Sequence, residues 1–383
     1  MPRSSSDEIR RLLLRHILEG QFEPNQTLPT IASLAKTFTV SIPTVQKAIH
    51  ALSREGIIEA KRGVGIFVKR FDLQAGRGRR IGLLHPNPSS YLLEHPYPGA
   101  VIETLQKELQ QGGFTVVPCS LEELDRLALL SSLCKLRLAG LVLFEVDSDV
   151  LISELRELRL PVVSMDYDAY RHGISSGTFN NVLGAFQATK HLIQLGHKNI
   201  AFMRPLVKAV LNKSISLTAS DEERVKGYCV AMEDAGLPPM IREFKNRVSI
   251  MNEELLRLFG QRPAPTALVC SADWSAQAAA QCVQQLGFRI PQDLSIVGFG
   301  GWGVEIGPGR RLTSIGVDNT GMGHAAARML LESMGGNQPP QRIVLPTRLL
   351  VQDSSGPVPV VAAPPPVLAQ PAASPVPPAL ADA

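Results

Sequence analysis

The stretch LPTIASLAKTFTVSIPTVQKAIHALSREGIIEAKRGVGIFV, residues 28–68, contains two short helix signals followed by two strand signals. Thr30 and Ser41 each precede a segment of apolar periodicity, as N-cap residues do. In the segment after Ser41, apolar residues recur at helical spacing and leave a polar face opposite them. Upstream, Ser5 and Glu8 form a capping-box pattern that opens another helix, which Gly20 ends. The pattern predicts three helices and a β-hairpin.

The polar face of the third predicted helix is suited to the major groove of DNA, where side chains reach base edges. The hairpin that follows has two cations and two glycines at its tip, where a tight turn and phosphate contacts are expected. The helices alone leave open an ordinary three-helix bundle with a solvated face. With the hairpin included, the predicted DNA contacts are Thr30, Ser41, Thr44, Gln46, Lys47, His50, Lys61, Arg62, Gly63 and Gly65.

Charge is unevenly distributed along the chain. Residues 1–80 contain 14 Lys and Arg against 7 Asp and Glu, whereas the net charge of the whole chain is only +4. The remainder is therefore slightly acidic. A basic head on an acidic body is the distribution that a nucleic-acid-binding head requires, although charge alone fits a well-solvated domain equally well.

Composition divides the chain into four segments. The predicted head ends at residue 68, and a polar linker, KRFDLQAGRGRR, covers residues 69–80. Residues 81–352 form the body, and the Pro/Ala/Val-rich residues 353–383 are predicted to be a disordered tail.

The body alternates short apolar runs with amphipathic stretches. This alternation predicts a parallel α/β sheet, and its length favours two lobes. Ligands of such folds bind at the carboxyl ends of strands, so a cleft between the lobes is the expected site. The predicted strands are Ile81–His85, Phe114–Val117, Gly140–Phe144, Val162–Met165, Ile200–Met203, Ala267–Cys270 and Leu294–Phe299.

Several classes of protein are disfavoured. The chain has no run of 18 apolar residues and no secretory leader pattern, which predicts a cytoplasmic protein with no membrane partner. The five cysteines are scattered, which predicts free thiols in a reducing compartment. No His/Cys spacing supports a metal site, and no cofactor is expected.

The head resembles the GntR-family winged helix over residues 7–68. The resemblance rests on Leu28-Pro29-Thr30, on the block from Val40 to Val45, on the stretch from Leu52 to Ile58, and on Lys61–Val68. Arginines that the family often uses are here Ala32, Ile42 and Gln46, so the usual operator sequence is not carried over.

The body resembles the sensor domain of the LacI/GalR repressors, which is similar to periplasmic sugar-binding proteins. The resemblance covers about residues 80–352 and is most specific in Leu192–Ala201 and Ile290–Phe299. A GntR-type head on such a body resembles the arabinose-responsive repressors of Gram-positive bacteria. By resemblance, Asp166 and Arg224 match effector-contacting positions, and their carboxylate and guanidinium suit hydroxyl or carboxylate groups.

Two positions depart from the LacI/GalR pattern. Ala272 replaces an Asn before Asp273, and Gly300 replaces an Asp after Phe299. These losses weaken the case for a simple aldose, and aromatic or imidazole side chains in strand-end loops are candidate replacements. The predicted effector contacts are His95, Tyr97, Asp166, Arg224, Asp273, Trp274 and Trp302.

The sequence therefore predicts a homodimeric, sequence-specific transcription regulator that binds double-stranded operator DNA. The regulator is expected to be a repressor whose DNA affinity is controlled by a sugar-like effector. A non-specific DNA-binding protein stays open, because the three arginines are absent. A sugar-active enzyme is the rival class, with Asp166, Asp273 and Glu145 as candidate acids. The operator, the effector and the direction of its effect are left open.

Overall fold

The structure is a computed structural model that describes residues 6–18, 22, 26–54, 57–61, 64–68, 78–87, 92, 96–121, 129, 133, 136–158, 160–208, 215–216, 219–245, 248–336 and 339–359. The chain divides into two compact units. Unit 1 comprises Met1–Phe179, Lys208–Ser214 and Asp318–Leu345, and unit 2 comprises Asn180–Val207, Ile215–Val317 and Pro346–Ala383. The predicted body is therefore assembled from segments that alternate between the units along the sequence.

The head consists of α1 (Ser6–Leu18), α2 (Ile31–Thr37), α3 (Ile42–Arg54) and an antiparallel hairpin of β1 (Ile58–Lys61) and β2 (Gly65–Val68). This arrangement confirms the predicted helix-turn-helix and wing. The proposed cap at Ser5 and the helix end at Gly20 lie outside the described residues. Apolar side chains from all five elements form one core, which includes Ile9, Leu13, Leu34, Val45, Leu52, Ile58 and Val68.

The rest of the chain alternates strands and helices. In chain order these are β3 (Arg80–His85), α4 (Pro96–Gln111), β4 (Thr115–Ser120), β5 (Gly140–Phe144), α5 (Asp149–Glu157), β6 (Val162–Met165), β7 (Ser175–Phe179), α6 (Asn181–Gln194), β8 (Ile200–Lys208), β9 (Ile215–Ser216) and α7 (Ala219–Asp234). They are followed by β10 (Met240–Lys245), α8 (Val248–Phe259), β11 (Ala267–Cys270), α9 (Asp273–Gln285), β12 (Ser295–Gly300), β13 (Glu305–Gly307), β14 (Arg310–Arg311), β15 (Thr313–Val317), α10 (Asn319–Met334), β16 (Arg342–Leu345) and β17 (Thr347–Leu350).

Each unit contains one large sheet, and a two-stranded antiparallel pair accompanies it, β1-β2 in unit 1 and β13-β14 in unit 2. In unit 1 the strand order is β16-β7-β6-β5-β3-β4, and every neighbouring pair is parallel. In unit 2 the order is β10-β8-β11-β12-β15-β17, with β9 beside β8, and only β17 runs antiparallel to its neighbour along that path. The sheets confirm the predicted parallel α/β class, and strands such as β5 and β6 are buried along their whole length. No helix in the described ranges is both long and apolar enough to cross a membrane.

Helices α6 and α7 of unit 2 pack so closely that their backbones are in contact. A Cβ atom at Gly227 of α7 would lie 2.1 Å from the carbonyl oxygen of Val182 and 3.0 Å from the backbone nitrogen of Phe186. No side chain can occupy that space, so only glycine permits this approach.

Residues 353–359, which follow the predicted boundary at 352, pack against the rest of unit 2. Ser354 is fully buried, and its carbonyl oxygen accepts a hydrogen bond from the Ile296 backbone at 2.8 Å. His197 is also fully buried and donates from Nε2 to the Gly356 carbonyl at 3.0 Å. Burial lowers the pKa of His197, so the neutral ring at Nδ1 accepts from the Thr266 hydroxyl, 2.8 Å away. We call residues 353–359 the strap, and the rest of the predicted tail lies outside the described residues.

Truncation separates the strap from the residues that follow it. We expect deletion of residues 360–383 to leave the melting temperature unchanged. Deletion of 353–383 removes at least three hydrogen bonds to buried partners, and we expect a loss of about 3 kcal/mol, roughly 6–12 °C for a unit of this size. Differential scanning calorimetry of the two truncated chains measures both values. Equal melting temperatures would show that the strap contributes nothing.

A second prediction concerns the contact between α6 and α7. Gly227→Ala forces the two helix backbones apart, and we expect it to destabilise the protein by at least about 2 kcal/mol. Gly99→Ala is the matched control, because a Cβ there meets only the Leu92 carbonyl at 3.6 Å, an ordinary contact. Since alanine favours helix over glycine, the control should be neutral or slightly stabilising. Chemical denaturation measures both free energies, and a neutral Gly227→Ala would refute the close contact.

Candidate nucleic-acid interface and ligand-binding residues

The start of α3 is fixed by local hydrogen bonds. The Ser41 hydroxyl accepts from the Thr44 backbone at 3.3 Å and lies 2.7 Å from the Thr44 hydroxyl. Thr30 caps α2 in the same way, accepting from the Ser33 backbone at 3.2 Å. Three of the predicted DNA-contacting hydroxyls therefore also define where the two helices begin.

The outer face of α3 takes no part in the core. Val45, Ala48 and their neighbours along the apolar stripe are buried, whereas Gln46, Lys47 and His50 are exposed. A rigid helix thus presents three adjacent donors and acceptors to solvent, the arrangement that reading a groove requires.

The wing is held to the segment that precedes α2. Leu28 donates its backbone N–H to the carbonyl of Ile66 at 2.7 Å. Gly65 has φ +138°, and a Cβ there would lie only 3.2 Å from the Thr27 methyl, so both conformation and space favour glycine. Lys61 is exposed, with its ammonium 5.3 Å from the centre of the Phe67 ring. Arg62 and Gly63 lie outside the described residues.

In unit 1, the sheet and α4 bring two predicted effector contacts together. The Tyr97 hydroxyl donates to Asp166 Oδ2 at 2.9 Å, and the Tyr97 ring packs against Phe144 and Phe179 with centroids 5.6 and 6.1 Å away. Asp166 directly follows β6 and has φ +62°, a conformation that non-glycine residues adopt infrequently. His95, the other contact predicted near Tyr97, lies outside the described residues.

Two further polar residues lie at the carboxyl ends of neighbouring strands in this sheet and were not among the predicted effector contacts. Glu145 directly follows β5, also with positive φ (+55°), and accepts a hydrogen bond from the Asn87 amide at 3.4 Å. His85 ends β3 and is fully buried, and burial lowers its pKa. The carboxyl ends of adjacent parallel strands share one edge of the sheet. The last residue of each predicted strand and the residue after it were therefore the signal that could have identified His85 and Glu145.

In unit 2, Arg224 on α7 is held by three different contacts. Its Nε donates to Asn181 Oδ1 at 2.9 Å, and Nη1 donates to the Ser271 carbonyl at 2.7 Å. The guanidinium lies over the Phe299 ring, 4.1 Å from its centre. The side chain is 12% exposed and lies 4.0 Å from the Asp221 carboxylate. The arginine is therefore fixed in one orientation.

Asp273, at the start of α9, is buried and engaged on both oxygens. Oδ1 accepts from the Ser314 hydroxyl at 2.5 Å, and Oδ2 accepts from the Trp302 backbone at 2.9 Å. Burial raises the pKa of Asp273, and these hydrogen-bond donors oppose the rise. The carboxylate thus fixes the loop at residues 301–302.

The two tryptophans have different surroundings. Trp302 lies where a side chain at residue 300 would project, since a Cβ at Gly300 would lie 2.6 Å from Trp302 Nε1. This contact gives a physical reason for glycine at the position where the resemblance expects Asp. Trp274 instead packs edge-on against Phe244 at 6.4 Å, beside the core of unit 2.

The three candidate catalytic acids of the alternative hypothesis, a sugar-active enzyme, are not all in one unit. Glu145 and Asp166 belong to unit 1, whereas Asp273 belongs to unit 2. Among the described residues, no group of three or more His, Cys, Asp or Glu could hold a metal ion. The described cysteines, Cys119, Cys229, Cys270 and Cys282, are free thiols.

Two family models match the chain. Residues 5–68 match bacterial regulatory proteins of the gntR family, and residues 189–355 match a periplasmic binding protein-like domain. The HTH-type transcriptional regulator DegA of Bacillus subtilis (strain 168) is 26% identical over 86% of this chain and 98% of its own length. The arabinose metabolism transcriptional repressor of Geobacillus stearothermophilus is 27% identical over 85% and 90%.

A solved structure of the transcriptional regulator CelR in complex with cellobiose has the same fold. It matches with a TM-score of 0.65 at 21% identity, covering 86% of this chain and all of that one. The chain is therefore a transcription regulator in which a GntR-type winged helix-turn-helix domain is fused to a periplasmic-binding-protein-like domain.

Proposed function

We propose that this protein is a homodimeric, cytoplasmic repressor whose affinity for operator DNA is changed by a sugar or a sugar derivative. The observation that carries the proposal is Arg224, a largely buried guanidinium that is oriented by Asn181, Ser271 and Phe299. An arginine fixed in this way loses little side-chain entropy when its remaining donors bind a ligand.

DNA binding is supported by the head. Its basic residues outnumber its acidic ones, and the outer face of α3 together with Lys61 is exposed. Base contacts from one α3 helix are few, and regulators of this type pair two heads on half-sites related by two-fold symmetry. We therefore assign the homodimer as the DNA-binding form.

A hydroxyl-rich effector is supported by the polar groups in each unit. In unit 1, Asp166 supplies carboxylate acceptors and is oriented by the hydrogen bond from Tyr97, and in unit 2 Arg224 supplies forked donors. We assign Arg224, Asp166 and Tyr97 as effector contacts, and Asp273 as the residue that positions the Trp302 loop. The Geobacillus relative is named for arabinose metabolism, and the CelR structure contains cellobiose, which favours a carbohydrate ligand and a repressor role.

The direct test has two steps. The full-length protein is first used to select duplexes from a random library, and then sugars, sugar acids and nucleosides are screened by thermal shift, because binding to the native state raises its melting temperature. One sugar should both raise the melting temperature and change the operator affinity. Equal affinity for all duplexes would favour the non-specific DNA-binding alternative, and a response to nucleosides alone would exclude a sugar effector.

Lys61 tests the role of the wing. We expect Lys61→Ala to weaken binding to every DNA sequence alike, and to reduce the slope of log affinity against log salt by about one unit, because a phosphate contact is lost. Lys107→Ala on α4 is the control, since Lys107 is an exposed cation paired with Glu103 outside the head. Fluorescence anisotropy at several salt concentrations measures both slopes. Identical slopes for wild type and Lys61→Ala would remove Lys61 from the interface.

Arg224 tests the ligand site. A ligand changes DNA affinity only if it binds the two functional states differently. We expect Arg224→Ala to abolish the effector response and to leave effector-free operator affinity within about threefold, roughly 0.7 kcal/mol.

The matched control for Arg224→Ala is Arg242→Ala. Arg242 lies on β10, at the edge of the unit 2 sheet, and its replacement removes the hydrogen bond to Gln261. Operator titrations with and without the effector compare the three proteins. A full response from Arg224→Ala at the same effector concentration would contradict its assignment.

A further inference from the structure

The first turn of α3 exposes an apolar side chain among polar neighbours. Ile42 is 48% exposed, and among the described residues of the head only Ile42 and Val64 are large apolar side chains with such exposure. A single exposed isoleucine has no meaning by itself. Its position does, because the N-terminal residues of this helix are the ones that approach base edges in helix-turn-helix proteins.

The side chains around Ile42 limit what this turn can recognise. Gln46 lies one turn further along, so the two share a helix face. The hydroxyls of Ser41 and Thr44 are 2.7 Å apart and take part in capping the helix. Ile42 and Gln46 are therefore the side chains of this face that do not take part in capping the helix.

No guanidinium is present where guanine would be read. The only arginine of α3 is Arg54, in its last turn. The commonest specific contact to guanine is a bidentate one from Arg or Lys, and Lys47, the other cation of the helix, projects about 100° around the axis from Gln46. An isoleucine, by contrast, matches the C5-methyl group of thymine, and a glutamine amide matches N6 and N7 of adenine.

We propose that Ile42 and Gln46 make the first turns of α3 a reader of A·T base pairs, an inference that rests on the DNA-binding function proposed above. Ile42 packs against a thymine methyl group in the major groove. Gln46 accepts from adenine N6–H through Oε1 and donates to N7 through Nε2. At the base pairs that Ile42 and Gln46 contact, the protein then selects thymine and adenine and not guanine.

The experiment uses the full chain and the duplex enriched from a random library. Each thymine of the half-site is replaced in turn by uracil, which differs only in lacking the methyl group. At one thymine we expect affinity to fall about fourfold, the equivalent of the ~0.8 kcal/mol gained by burying one methylene-sized group. Gln46→Ala should lower the preference for adenine over guanine at one position by at least fivefold.

Variants at residue 42 show whether the loss of affinity on replacing thymine by uracil depends on the Ile42 side chain. In Ile42→Ala the uracil penalty should fall below twofold, because the apolar partner is gone. Ile42→Val, which keeps a branched apolar side chain, should retain it. Val64→Ala, the matched control at the other exposed apolar residue of the head, should also retain the full penalty.

Three results would overturn the assignment: guanine at every strongly selected position of the half-site, no thymine that responds to uracil, or an undiminished penalty in Ile42→Ala. In each of these cases the protein still selects a sequence, so sequence-specific DNA binding stands while the reading of A·T pairs fails. Failure to enrich any sequence would overturn both the proposed function and this inference.

Discussion

The backbone contact between α6 and α7 determines the geometry of the best-defined polar site in unit 2. Gly227 brings α7 against the backbone of α6, and Arg224 lies three residues before it on α7. Gly184 of α6 plays a matching part, since a Cβ there would lie 2.8 Å from the Phe299 ring. With both glycines present, α6 lies close over Phe299, and Arg224 reaches the same ring and Asn181. The orientation of Arg224 thus depends on glycine at positions 184 and 227, where a larger residue would collide with its neighbours.

The loop after β12 follows the same principle. Gly300 leaves room for the indole of Trp302, and Asp273 holds the Trp302 backbone from the start of α9. An aspartate at 300 would have to displace the tryptophan, so the two positions are physically coupled. This coupling explains why the chain departs from the LacI/GalR pattern at one residue while it keeps the strand before it.

Periodicity predicted the head and most central strands, because their apolar residues face a core at regular spacing. It did not predict β7, whose sequence SSGTF lacks an apolar run although the strand is buried throughout. Composition also misplaced the strap, since Ser354 and its neighbours are small polar residues whose hydrogen-bond partners lie far away in sequence. The sequence also did not indicate that Trp274 packs against Phe244. Residue type alone does not reveal which way a side chain points, so the hydrogen bond between Glu145 and Asn87 could not be predicted from the sequence.

The order in which the chain is synthesised sets the order in which its cores can be completed. All the residues of the head core lie before residue 69. Unit 1 needs α10 and β16, and unit 2 needs β17 and the strap, all of which come from the last 70 residues. Since domains fold as units during synthesis, the DNA-reading part can be complete on the ribosome while both parts of the sensor still lack a strand. A chain cut short by premature termination would therefore keep a folded head without the complete body that is proposed to control it.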